Sequence, residues 1–78
     1  MIYVGKLTEA EALLLEGQMW NDNEYFNPAL NGDGVDWYIS IEEMEGNTNI
    51  DFEWVATLPL IEYIPWPLDS NALPIPPN

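Results

Sequence analysis

The chain has 78 residues, and its 14 Asp and Glu side chains face a single basic one, Lys6, for a formal net charge of −13. That imbalance repels phosphate backbones and anionic lipid headgroups, so nucleic acid and membrane are excluded as direct partners and a basic protein surface is favoured. Cysteine and histidine are both absent, which removes disulfides, thiolate metal sites and any nucleophile–histidine pair.

A chain this short forms one domain and buries only about 60–65% of its unfolded surface, so its stability margin is thin. Four tryptophans, four tyrosines and two phenylalanines offset this, because a large ring buries roughly 150–250 Å². The opening MIYVGKLTEAEA lacks the long apolar core of a signal peptide. No apolar run approaches the ~20 residues of a membrane span. The expected location is the cytoplasm or a particle assembled there, and no cofactor is expected.

In chain order, Met1–Gly5 is a short apolar start and reads as a strand. Thr8 and Glu11 then form a capping box, with Thr8 as N-cap and Glu11 at the third helical position. Ala10, Leu13 and Leu14 share one face at i, i+3, i+4 spacing and predict a two-turn helix, Thr8–Glu16, packed on a sheet through that face. Gly17 closes it.

Trp20 leads a polar loop through Glu24, and the Tyr25–Gly46 stretch that follows organises the fold. Asn31-Gly32-Asp33-Gly34 sets two dipeptides that tolerate positive φ side by side, the requirement of a tight hairpin turn. Downstream, Val35, Trp37 and Ile39 alternate with polar or half-polar residues as a strand with one buried face. Upstream, Tyr25–Leu30 is the partner strand, placed at an edge by Pro28, which cannot donate to a ladder. This hairpin is expected at the centre of the sheet. Ser40 and Glu43 form a second capping box, with Ile39 and Met44 at the staple positions and Gly46 as the left-handed stop of a one-turn helix. Asn47–Asn49 is a turn. Ile50, Phe52 and Trp54 then alternate as a third strand, a helical turn starting near Asn49 being the alternative. Leu60–Ile64 resumes an extended run. The fold class is α+β, with the domain at 1–64, and Tyr25, Phe26, Trp37, Phe52 and Trp54 as its expected core.

Every proline except Pro28 falls from Pro59 onward. Pro65–Asn78 is therefore a proline-rich extended tail that favours polyproline II. Its apolar residues Trp66, Leu68, Leu73 and Ile75, with Pro65 and Pro67, are candidate partner-binding residues. Trp66, between two prolines, either docks on its own domain or anchors in a partner's pocket. Trp20, Trp37 and Trp54 are evenly spaced, but their flanks do not match and they mark no repeat.

The carboxylates admit several chemistries. Asn31, Asp33 and Asp36 in a glycine-rich loop resemble part of a calcium loop, but Asp36 stands where that loop has its usual apolar residue. Ala29 and Ser40 also stand where such a loop needs acidic ligands, and the turn-forming role accounts for all three. Glu42, Glu43 and Glu45 could supply a general acid and base, but with no nucleophile and base beside them the reading is non-enzymatic. Spread over a surface, Asp33, Asp36, Glu42, Glu43 and Glu45 either keep an aromatic-rich domain soluble or imitate the phosphate track of DNA.

The run Tyr25-Phe26-Asn27-Pro28, the Gly/Asp/Asn turn, Trp37 with Ile39-Ser40, Glu42-Glu43, Phe52 with Trp54-Val55, and Leu58-Pro59-Leu60 with Tyr63 and Pro65 resemble a loosely defined group of small acidic accessory and structural proteins of tailed bacteriophages. The resemblance covers about half the chain and carries no catalytic residues; Trp66 and the rest of the tail fall outside it. It implies a non-enzymatic phage protein, in the virion or the host cytoplasm. Such a protein binds phage structural proteins or its own copies, as a homo-oligomer or part of a larger assembly. The alternative is an acidic DNA mimic that blocks a host nucleic-acid-binding defence protein.

Overall fold

A computed structural model describes residues 1–65. The elements run β1 (Tyr3–Leu7), α1 (Glu9–Leu15), β2 (Ala29–Leu30), β3 (Trp37–Ile39), α2 (Ile41–Gly46), a 3-10 helix (Ile50–Thr57) and β4 (Leu60–Glu62). The strands form one antiparallel sheet in the order β2-β3-β1-β4, and the fold is α+β. Among the described residues no helix is long and apolar enough to cross a membrane.

The central pair is β1 and β3, with Gly5 opposite Ile39 and Leu7 opposite Trp37. The hairpin is thus displaced from the expected centre to one side, and β2 is the edge that Pro28 foretells. The expected strand Tyr25–Leu30 shrinks to Ala29–Leu30 because Tyr25 bridges Met19 instead. Tyr25 is accordingly exposed rather than part of the core. Val35 lies outside β3 and is 74% exposed, because residues 31–36 form a wider loop than a two-residue turn. Only Gly34 in that loop has positive φ, at 73°. Asp33 replaces the second expected left-handed residue: its carboxylate accepts the N–H groups of Val35 at 2.8 Å and Asp36 at 3.1 Å.

Helix α1 starts on the expected capping box: Glu11 N–H donates to Thr8 Oγ1 at 3.1 Å and Thr8 N–H to Glu11 Oε1 at 2.8 Å. Gly17, at φ 83°, follows its last turn. Its buried face is Ala12 and Leu15, whereas Ala10, Leu13 and Leu14 point outward. That reverses the expected orientation, because the seven-residue helix carries two apolar diagonals and the sheet takes the other one.

The cap of α2 is half of a box. Ser40 Oγ accepts Glu43 N–H at 3.1 Å, but the Glu43 carboxylate turns inward to Asn27 N–H at 3.4 Å. Gly46 lies within α2 without positive φ. Glycine stands there because a Cβ would lie 2.6 Å from Cζ3 of the Trp20 ring.

Ile50–Thr57 is the helical alternative, not a strand. Asn49 Oδ1 caps it by accepting Asp51 N–H at 2.9 Å, and with three residues per turn Phe52 and Val55 fall on one buried face. Phe52 sits edge-on to Phe26 at 5.8 Å and to Trp54 at 6.3 Å. Phe26 and Phe52 join Leu7, Ile39, Leu15, Met44 and the unexpected Trp20 in one core between sheet and helices, with Trp37 and Trp54 packed against it. Trp20 is buried because its polar neighbours form a tight loop, with Asn21 Oδ1 accepting two N–H groups at 2.8 Å and Trp20 C=O accepting Thr48 N–H at 2.7 Å.

Candidate protein-docking site

Three elements leave a groove beside the core. The helix α2 supplies Ile41, Met44 and Glu45, the 3-10 helix supplies Ala56, and the approach to β4 supplies Leu58 and Leu60. Asn47 fixes the angle between the helices: its Nδ2 donates to Phe52 C=O at 2.8 Å and its Oδ1 accepts Asn49 N–H at 2.9 Å. Phe52 departs from helical geometry at φ −127°, ψ 39°. The ring is buried at that kink, and the small Ala56 remains on the outer side. The resulting groove encloses about 490 Å³. A second depression of about 390 Å³ shares Met44, Asn47 and Ala56 with it and continues to Ile50 and Glu53. The outer walls of both are uncovered: Leu60 in the first is 54% exposed and Ile50 in the second 82%.

The groove runs along an open piece of strand edge. Lys6 N–H donates to Pro59 C=O and Tyr63 N–H to Ile2 C=O, both at 2.8 Å. By antiparallel alternation, the backbone groups of Leu60 and Glu62 therefore face away from β1. Past the Glu62 N–H that outer edge is closed. Asn31 Nδ2 donates to Glu62 C=O at 3.0 Å, Ile64 N–H to Asn31 Oδ1 at 2.7 Å, and Gly32 N–H to Ile64 C=O at 2.7 Å. The sheet thus curls until the β2–β3 loop meets the end of β4, leaving Leu60 as the residue whose N–H and C=O are both open.

The rim of the groove is negative. Glu45 lines it and Glu53 lines the adjoining depression, and Glu42 and Asp51 are exposed on the same two helices. Lys6 lies on the opposite face of the sheet from its neighbour Gly5, which packs toward Met44. Its ammonium is 3.8 Å from Asp36, so it leaves the groove uncompensated.

The acids expected to share one surface are separated. Glu42 and Glu45 are exposed on α2, whereas Glu43 is only 9% exposed, because its carboxylate serves Asn27 rather than solvent. Burial pushes the Glu43 carboxyl pKa up, partly opposed by the Asn27 N–H. Asp33 and Asp36 lie on the β2–β3 loop. The N–H of Val35, then that of Asp36, holds the Asp33 pKa below its usual value. Among the described residues no group of three or more acidic side chains is placed to hold a metal ion. Pro65 is exposed at the end of the described residues; Trp66, Pro67, Leu68, Leu73 and Ile75 lie outside them. The groove residues Ile41, Met44, Ala56, Leu58 and Leu60 carry no sequence motif, and the one local hint is the pair of leucines flanking Pro59. No family model, no curated protein and no solved structure matches this chain.

Proposed function

We propose that this chain is a non-enzymatic accessory or structural protein of a tailed bacteriophage that works by binding protein. The observation that carries the binding role is the uncovered groove between α2, the 3-10 helix and β4, where leucine, isoleucine and methionine side chains lie beside carboxylates. Ile50 and Leu60, uncovered beside an open strand edge, offer a partner apolar contacts and backbone hydrogen bonds together. The phage assignment rests on the resemblance carried by residues 25–65. The tail from Pro65, with Trp66, is a second anchor in this reading, and the partners are phage structural proteins or further copies of the chain.

The test is capture with tagged full-length chain from phage-infected cells, washed at low and then high salt, with mass spectrometry of what remains. Recovery of particle proteins or of untagged copies is the expected result. Recovery of one basic host DNA-binding protein, released by salt, would instead establish the DNA-mimic reading. Recovery of nothing would remove the binding role itself.

A further inference from the structure

We propose that the groove takes an extended segment of a different protein, in which an apolar side chain flanked by lysine or arginine fills the space over Met44 and Ala56. The partner's backbone would bond to the N–H and C=O of Leu60. This deepens the binding role above and rests on it.

Three observations converge on that chemistry. The floor sets the apolar side chains of Met44, Ala56, Leu58 and Leu60 beside an equal share of polar surface, and it is of a size to admit a branched aliphatic or aromatic side chain. The outward backbone groups of Leu60 offer hydrogen bonds that an extended chain satisfies and a helix does not, since a helix bonds its own backbone internally. Glu45 and Glu53 stand on the rim with no cation of this chain beside them, so positive flanks on the occupant are attracted and negative ones repelled.

Charge also decides whose segment it is. This chain carries one basic residue among its 78, and that residue is committed to Asp36 within β1 and the β2–β3 loop. Neither a second copy nor the chain's own residues beyond Pro65 can therefore present an apolar group between two cations. Two copies, each at −13, also repel at this rim. The occupant is a basic segment of another protein.

The experiment selects random dodecapeptides on the full-length chain and measures the enriched peptides by calorimetry. The targets are the wild type, Ala56→Trp, Leu60→Glu and the pair Glu45→Gln/Glu53→Gln. Ala56 and Leu60 are both exposed, so the two blocking variants act independently and each checks the other's folding by circular dichroism. Expected are peptides with an apolar residue between Lys or Arg, and binding weakened about tenfold or more by either blocking variant. The double Gln variant should weaken binding and flatten its salt dependence. On binding, the Leu60 amide should gain protection from hydrogen exchange. Enrichment without basic flanks, enrichment of nothing, an unperturbed Leu60 amide, or full binding to both blocking variants would each overturn the proposal. Repeating the capture from infected cells with Ala56→Trp separates the two levels. A partner retained by that variant leaves the binding role standing and removes the groove. A wild-type chain that captures nothing removes the binding role, whatever peptides do.

Discussion

Asn31 and Ile64 hold each other across the sheet: the Ile64 N–H donates to Asn31 Oδ1 at 2.7 Å, while the residue after Asn31 donates back to Ile64 C=O at 2.7 Å. Asn31 is 1% exposed, and its backbone is also used, its N–H by Asp36 C=O at 2.7 Å and its C=O by Gly34 N–H at 2.9 Å. Asparagine carries its donor and its acceptor on separate atoms of one short side chain, so Nδ2 and Oδ1 serve Glu62 and Ile64 at the same time. Asn31→Ala strands the Glu62 C=O and the Ile64 N–H, and is expected to cost about 2–4 kcal/mol in chemical denaturation. Asn31→Asp retains the acceptor for Ile64 but sets an oxygen against Glu62 C=O, so it too should destabilise. A change within about 0.5 kcal/mol, the ordinary range for surface substitutions, would show that the clasp contributes nothing.

Gly46 and Gly17 separate two reasons for glycine. Propensity alone makes Gly46→Ala stabilising by about 1 kcal/mol. The new methyl would meet Cζ3 of Trp20 at 2.6 Å, so the net expectation is a loss of about 1–3 kcal/mol, with a change in tryptophan fluorescence. Gly17→Ala meets nothing within 4 Å and loses only through its φ of 83°, roughly 1–2 kcal/mol, leaving the fluorescence unchanged.

The orientation of α1 has its own test. Leu15 is 0% exposed and Leu14 56%. Leu15→Ala should cost about 2–5 kcal/mol, while Leu14→Ala should stay within about 0.5 kcal/mol. Equal losses in thermal denaturation would mean that the helix packs through the other diagonal.

Local signals in the sequence located most element ends. The Thr8–Glu11 box, Gly17, the Ser40 cap and the Pro28 edge all depend on neighbours within a few residues, and those neighbours decide them. The orientation of α1 was not legible, since Ala12/Leu15 and Ala10/Leu13/Leu14 both satisfy helical spacing and only the sheet chooses. Ile50–Trp54 alternates like a strand, yet Asn47 and Asn49 supply caps that make a 3-10 helix the better use of its backbone groups. The burial of Trp20 was hidden by the polar residues that tighten its loop. The groove was hidden for a different reason: α2, the 3-10 helix and β4 meet only once β4 has paired with β1.

Glu43 predicts a pH effect of definite sign. Its pKa is raised in the folded chain by burial, so the folded state binds a proton more readily than the unfolded state does. This site's contribution to stability therefore falls as pH rises from the ordinary carboxylate range through the raised pKa. Glu43→Gln keeps an acceptor for Asn27 and carries no charge. At neutral pH it should melt higher than the wild type, and the difference should shrink on acidification toward the ordinary carboxylate range. Comparing the two curves cancels the general relief of self-repulsion that any acidic protein shows. A pH-independent difference would place Glu43 in solvent.

The position of β1 has a consequence for how the chain reaches this structure. As the first strand in the chain, β1 lies between its neighbours in the sheet, pairing Gly5 with Ile39 on one side and with Leu60 on the other. During synthesis it leaves the ribosome with neither partner available, and the later of the two arrives only after α2 and the 3-10 helix. Long loops must close before those pairings are rewarded, which slows folding. The open position at Leu60, and the groove beside it, are thus among the last parts of the domain to come into being.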